Sequence, residues 1–401
     1  MGSPLRPLRA AYQLYRMRAR RKAGRSVRVR VASPTALLAA LDAAGVRNVV
    51  MRWFDEVPVT PAECAAFTGD VDVLVDDTAG RALADAAAAQ PGRVAVECRS
   101  VTGEVGAFAG MPYLPPAFAD EILAARVPHP RGFHAPAPQH VLPLLLFHLC
   151  YQKAEASGIP TGTELATGEG KRDYAARLRE VAAACGETLP EPLTLLSIDA
   201  WLRGRGFDMQ LDLLARWPLQ TPWIRHLRAA AEARTERLSA ELPELIVFIL
   251  RDDLTPELRA LAEARIASWF DVLEAGELDA EQRLRCLRHL RGGNWYGRRG
   301  KELAGPTHYV ICNDPTPKPV TDARLAAEQP HVTNARVRLK HTLREELRAA
   351  ARERGTRCRH ALHSSDNRHE AAHFLEVLVG DGVETRIREL AARVQAGSGQ
   401  P

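Results

Sequence analysis

The stretch ALHSSDNRHEAAHFLEVL, residues 361–378, offers histidines for two different chemistries. His369-Glu370-Ala371-Ala372-His373 has the H-E-x-x-H spacing, which puts two imidazoles on one helix face to bind Zn²⁺ with the glutamate as general base. Upstream, His363 precedes Ser364, Ser365, Asp366 and Asn367, a loop that leads into a helix start. Free N–H groups at a helix start favour a phosphate. A neutral imidazole there can attack a γ-phosphoryl group and carry it as phosphohistidine. The zinc reading fails on local grounds. Asp366 or Asn367 as N-cap places His369 in the first helical turn, Arg368 sets a positive charge beside it, and GDGVETRIREL downstream holds no third histidine. Glu370 near a helix N-terminus needs only the helix dipole to explain it. His369 and His373 therefore read as surface residues of an amphipathic helix, and His363 as the chemical candidate, its bland alternative being a capping loop.

A second constellation is built of carboxylates. Asp70 and Asp72 lie two apart in GDVDVLVDD, so a strand there points both to one face, and Glu97 lies on the next expected strand, GRVAVECRSV. Three hard oxygen ligands at neighbouring strands suit Mg²⁺, which keeps coordination sites for water and phosphate oxygens. Such ions activate an attacking hydroxyl and stabilise a leaving pyrophosphate. The plain alternative is a solvent-facing strand with Asp76 and Asp77 in its turn.

The elements that position these groups follow from periodicity. SPTALLAALDAAG reads as a helix opened by Ser33 or Pro34 and stopped by Gly45. VRNVVMRWF, GDVDVLVDD and GRVAVECRSV read as strands, with TAGRALADAAAA as a helix between the last two. Residues 139–240 are expected to be mostly helical. From Glu244 a second alternation begins, with ELIVFIL, WFDVLEA, GPTHYVICND and CRHALH as strands and helices between them, an α/β sandwich.

Composition sets the frame. The 401 residues are 46% hydrophobic and 26% charged, enough for more than one core, and no run approaches a membrane-spanning length. Seven scattered cysteines without C-x-x-C spacing point to reduced thiols and a cytoplasmic location. Ten Arg or Lys residues and no acid lie between Arg6 and Arg30, interleaved with Tyr12, Leu14, Tyr15 and Met17. Such a segment can touch an anionic membrane surface or nucleic acid, or be a solvated end.

Two resemblances build on these residues. NVVMRWFDEVP, GDVDVLVDD and VAVECRSV resemble the nucleotidyltransferase superfamily, which carries an Asp-x-Asp pair and a third acid on a following strand. The resemblance implies Asp70, Asp72 and Glu97 as Mg²⁺ ligands, with Arg52 near the place of the superfamily's Gly-Ser loop. Residues 244–380 resemble nucleoside diphosphate kinase, through ALHSSDNRHEAAHF, AGPTHYVICND and NARVRLKHTLREEL. That resemblance implies a ferredoxin-like sandwich, His363 as nucleophile, and Arg251, Arg336, Arg344, Ser365 and Asp366 as nucleotide- or phosphate-binding residues. It also implies homo-oligomers. Ser364 stands for the glycine after the histidine and His360 for an asparagine, while RGGNWYGRRGKE, with Arg298 and Arg299, offers either a phosphate lip or a plain basic surface loop.

The expected protein is α/β and multidomain. Residues 1–32 form a basic segment open to disorder, 33–138 a nucleotidyltransferase-like mixed sheet, 139–240 a helical region, and 241–395 a nucleoside diphosphate kinase-like domain. The expected function is Mg²⁺-dependent nucleotidyl or phosphoryl transfer from a nucleoside triphosphate to an unidentified acceptor. The alternative is a non-catalytic nucleotide sensor or assembly module.

Overall fold

Alternation of valine with charge decides the first sheet. In the computed structural model, β1 (Val27–Val31), β2 (Asn48–Val50), β3 (Asp70–Val75) and β4 (Val94–Ser100) pair in the order β1-β4-β3-β2. β3 and β4 run parallel, and β1 and β2 lie antiparallel to their neighbours. Residues 5–23, 25–106, 111–209, 213–214, 217–290, 295, 304–328 and 332–397 are described. They form a mixed α/β protein of two compact units, the first drawn from residues up to Leu227 and the second from Arg228 on.

Val27, Val29, Val31, Val71, Val73, Val75, Val94, Val96 and Cys98 are buried in one core with Leu37, Leu38, Leu41 and Leu83. These leucines come from α2 (Pro34–Ala43) and α4 (Gly80–Ala89). Since side chains alternate along a strand, the intervening Arg28, Asp70, Asp72, Glu97 and Arg99 lie on the opposite face. Ser33 caps α2 as its sequence suggests, accepting from the Ala36 N–H at 3.2 Å. The described residues of the basic segment left open to disorder form a helix and a strand. Residues Arg6–Lys22 form α1, which packs on α4 with Ala10 and Met17 buried, and VRVRV forms β1. Three inward valines at a spacing of two are what bind that strand to the sheet.

The expected boundary at residue 138 does not separate two bodies, because one core runs from Val49 to Leu227. It joins Met51 and Leu74 to Phe118 of α5 (Pro116–Ala124), Phe147 of α6 (Pro138–Phe147), Tyr151, Trp217 and Trp223. α6 runs into a π-helical turn, His148–Lys153, followed by Ala154 at φ 48°. Two buried indoles satisfy carbonyls of that turn: Trp217 donates to the Tyr151 carbonyl at 2.9 Å and Trp223 to the Cys150 carbonyl at 3.0 Å.

In the second unit β7 (Leu245–Arg251), β8 (Asp271–Glu277), β9 (Pro306–Asn313) and β10 (Leu362–Ser364) form an antiparallel sheet in the order β10-β7-β9-β8. β7 is buried along its whole length, which explains its unbroken apolar run. Ile246, Phe248 and Leu250 pack against Leu258, Ala262 and Ile266 of the helix Pro256–Ala267, and against Leu343, Leu347 and Ala351 of the helix Leu339–Glu353. The helix Arg368–Val379 contacts β7 and packs with the helix Ala280–His289. All seven cysteines are free, and no helix among the described residues is long and apolar enough to cross a membrane.

Phe248 is 1% exposed at the centre of this core. Phe248→Ala is expected to cost about 3–5 kcal/mol, because truncating a buried aromatic leaves a cavity as well as losing burial. Chemical denaturation followed by circular dichroism should show the loss in the transition of the second unit.

Candidate functional site

Strand register brings the carboxylates of the first unit together. β3 and β4 pair Asp72 with Glu97, and β1 and β4 pair Arg28 with Glu97. Asp70 sits one step along the same face of β3. Arg28 donates to Asp70 Oδ2 at 2.5 Å and lies 3.6 Å from Glu97 Oε2. Arg99 reaches Glu97 Oε1 at 3.1 Å. Arg52, just beyond β2, donates to Asp72 Oδ2 at 2.7 Å and to the Tyr113 hydroxyl at 3.0 Å. The Tyr113 ring lies under Arg99, its centroid 4.0 Å from the guanidinium carbon, and its hydroxyl meets His148 Nδ1 at 3.1 Å. A continuous polar chain thus links Asp72 to the π-helical turn.

Burial tunes these groups. Desolvation pushes the Asp72 carboxyl above its usual range, against the pull of Arg52 and Arg99 and with the push of Glu97 and Asp70. Burial, helped by Arg52, holds His148 well below the ordinary imidazole value, so it is neutral at physiological pH. The short Arg52–Asp72 contact and the raised carboxyl pull in opposite directions. The ion pair decides the geometry, and desolvation decides how readily the acid takes a proton.

These residues line a cleft of about 640 Å³ that is also lined by Lys153, Lys171 and Arg172. The π-helical turn delivers Lys153, whose pKa is lowered by burial and then by Arg52 and Lys171. Arg172 pairs with Glu56 and stacks on Trp53, 4.7 Å from the ring centroid. Trp53 holds a left-handed backbone, φ 58°, a costly conformation for a bulky residue. The cleft therefore brings acids and cations together, a mixture compatible with a polyanion carried with a metal.

The fit to Mg²⁺ divides between chemistry and geometry. Asp70, Asp72 and Glu97 are hard oxygen donors on one sheet face. Among the described residues, however, no three His, Cys, Asp or Glu side chains form a metal-holding group, and each of these carboxylates has a guanidinium beside it. An ion here would replace part of the role of Arg28 and Arg52.

The second unit gathers cations. Arg251, Arg338, Lys340, His341, Arg344, Arg348, Arg359, His360 and His363 line a cavity of about 540 Å³. Arg251 is 5% exposed, stacks on Trp295 at 4.3 Å, and has an Nε without a hydrogen-bond partner among the described residues. Burial, and then Arg344, lowers its pKa to about 10. Arg344 donates to the Leu362 carbonyl at 3.1 Å.

The remaining expected phosphate ligands are engaged elsewhere. Arg336 does not line this cavity. It donates to Asp314 Oδ2 at 3.0 Å and to the Trp269 carbonyl, over the Phe270 ring. Ser365 is structural: its N–H donates to the Val247 carbonyl at 3.0 Å and its Oγ accepts from the Val247 N–H at 3.1 Å. Asp366 lines the cavity but forms an ion pair with Lys340, so it neutralises charge there. His363 is 9% exposed, its ring between Trp295 and Phe374 at 6.2 and 5.3 Å. Asn367 is the N-cap of the following helix. His369 meets Glu236 while His373 meets the His289 carbonyl, so the two imidazoles do not converge. Arg298 and Arg299 lie outside the described residues.

Several site residues escaped the sequence reading. Arg28 could have been found from the alternation of VRVRV. Tyr113, His148, Lys153, Lys171 and Arg172 in the first unit, and Lys340 and Arg348 in the second, carry no local motif and reach their respective cavities only through packing. No protein-family model matches the chain, and comparison with curated proteins and with solved structures gives no match.

The two aspartates should separate in stability measurements. Asp72 and Arg52 side chains are 12% and 9% exposed, so Asp72→Ala strands a buried guanidinium and is expected to cost about 3–5 kcal/mol. Asp70 is 36% exposed, and Asp70→Ala should stay within about 1 kcal/mol. Urea denaturation of both variants checks the ordering.

Proposed function

We propose that the cleft of the first unit binds a nucleoside triphosphate and transfers its nucleotidyl group to an acceptor hydroxyl or amine, with Mg²⁺ as cofactor. One observation carries this reading: in-register strands deliver Asp70, Asp72 and Glu97 to a cleft that Lys153, Lys171 and Arg172 also line. The acceptor attacks the α-phosphorus, the bond to the β-phosphate breaks, and pyrophosphate leaves. Asp70, Asp72 and Glu97 would hold Mg²⁺, which supplies charge neutralisation and acidifies the acceptor. Lys153, Lys171 and Arg172 bind the β- and γ-phosphate oxygens and stabilise the departing charge. Arg52, fixed between Asp72 and Tyr113, orients the carboxylate. The resemblance of this segment to nucleotidyltransferases supports the same assignment.

For the second unit we propose a polyphosphate-binding role without turnover. Its strand order, fourth-first-third-second and antiparallel, agrees with the ferredoxin-like fold implied by the resemblance to nucleoside diphosphate kinase. Arg251, Arg344, His360 and His363 on one cavity favour a phosphate ligand. The turn of Arg336 to Asp314, away from His363, favours sensing over phosphohistidine chemistry.

Incubation with Mg²⁺ and α-labelled ATP, across a panel of hydroxyl and amine acceptors, is expected to yield labelled product. Lys153→Ala with Arg172→Ala should lower its formation by at least tenfold. An intact wild-type protein that neither binds Mg²⁺–ATP calorimetrically nor transfers label refutes the proposal. Acid-labile label from γ-labelled ATP, lost in His363→Ala, would restore the kinase reading for the second unit.

His341 and His360 give a pH test of that unit. Burial, and then neighbouring cations, lower both imidazoles from 6.5. A bound anion favours their charged forms, so protons are taken up on binding and affinity rises as pH falls through the imidazole range. Calorimetry with tripolyphosphate in two buffers of different ionisation enthalpy should reveal that uptake.

A further inference from the structure

The outward face of α1 is unlike that of any ordinary surface helix. Leu5, Leu8, Tyr12 and Tyr15 are 51, 69, 59 and 70% exposed. Their spacing of three, four and three residues, at about 100° per residue, confines them to an arc of roughly 80°. Ala10, Leu14 and Met17, which pack toward the first unit's core, lie on the opposite side of the helix. Exposed Arg9 and Arg16 flank the apolar stripe on one side and exposed Arg18 and Lys22 on the other. Arg16 also leans over the Tyr12 ring, 5.7 Å from its centroid. The helix contains no acid.

We propose that α1 is a membrane-surface docking element whose partner is a bilayer bearing anionic headgroups. A helix with this distribution lies in the interface, its apolar stripe among the acyl-chain margins and its cations among the headgroups. Tyrosine suits that depth, because its ring is apolar and its hydroxyl stays wet. At 17 residues and with arginines along it, α1 is built to lie on a membrane rather than cross one. The position of the cations decides between a membrane and a nucleic acid. A phosphodiester backbone calls for charge at the centre of the contact, whereas here the centre is leucine and tyrosine and the charge forms the margin. α1 is already folded and anchored on α4, so docking carries no cost of helix formation. The inference is independent of any nucleotidyl transfer in the cleft, and it would give such a transferase an acceptor pool at a lipid surface.

Co-sedimentation of the full chain with vesicles provides the test. Wild type is expected to bind vesicles of phosphatidylcholine with phosphatidylglycerol, to bind phosphatidylcholine alone weakly, and to be released by high salt. L8S/Y15S keeps every charge and should lose about tenfold in partitioning. R9Q/R16Q/R18Q keeps the stripe and should lose on the order of a hundredfold, near fivefold per cation. All five positions are exposed, and unchanged thermal melts confirm folding. Absence of binding to anionic vesicles overturns the proposal. So does L8S/Y15S binding like wild type, and a gel-shift affinity for duplex DNA or RNA carried by the arginines alone would then identify a nucleic-acid surface.

Discussion

The parallel register of β3 and β4 is the constraint on which the first unit rests. It sets Asp72 against Glu97 on one sheet face, a few ångströms from Asp70, where three like charges repel. That face survives because guanidinium groups arrive from three other places: Arg28 from β1, Arg52 from beyond β2, and Arg99 from β4 itself. The opposite face of the same strands carries Val71, Val73, Val75, Val94, Val96 and Cys98 into the core. One slip of register would exchange the two faces, burying the acids and exposing the valines, so packing holds the charged site in place.

The second unit solves a related problem differently. Its cavity collects cations with few acids, and Arg251 is kept in the interior by a tryptophan face and a carbonyl, without a carboxylate partner within salt-bridge distance among the described residues. Its lowered pKa records that discomfort. In the first unit guanidinium groups sit beside neighbouring acids, whereas in the second Arg251 and Arg344 are held by an indole face and by backbone carbonyls.

Much of the strand and helix inventory was legible, because it rests on periods of two and three to four that short-range sequence displays. The facing of Asp70 and Asp72 followed from the same period. Failures occurred where a pattern was outvoted or where long-range packing decided. The ten basic residues near Arg6–Arg30 outweighed the VRVRV alternation, so β1 and Arg28 were overlooked. The resemblance to nucleoside diphosphate kinase implies Arg336 on phosphate, but a buried Asp314 claims it, a contact that no local motif announces. Ser365 looked like a phosphate ligand, whereas its two bonds to Val247 show it closing the sheet. Lys153 reaches the cleft through the unwinding of α6 into its π-turn, and Lys171 and Arg172 reach it from the loop before the helix Tyr174–Cys185, neither of which sequence periodicity encodes.

β1 has a role beyond the site it serves. It is the outermost member of its sheet, with Arg28 and Arg30 on the side away from the valines. An open sheet margin invites a foreign strand to extend the ladder, and arginine there forces any intruder to strip water from a guanidinium. The residue that steadies the acids thereby also protects the protein from polymerising through its own border.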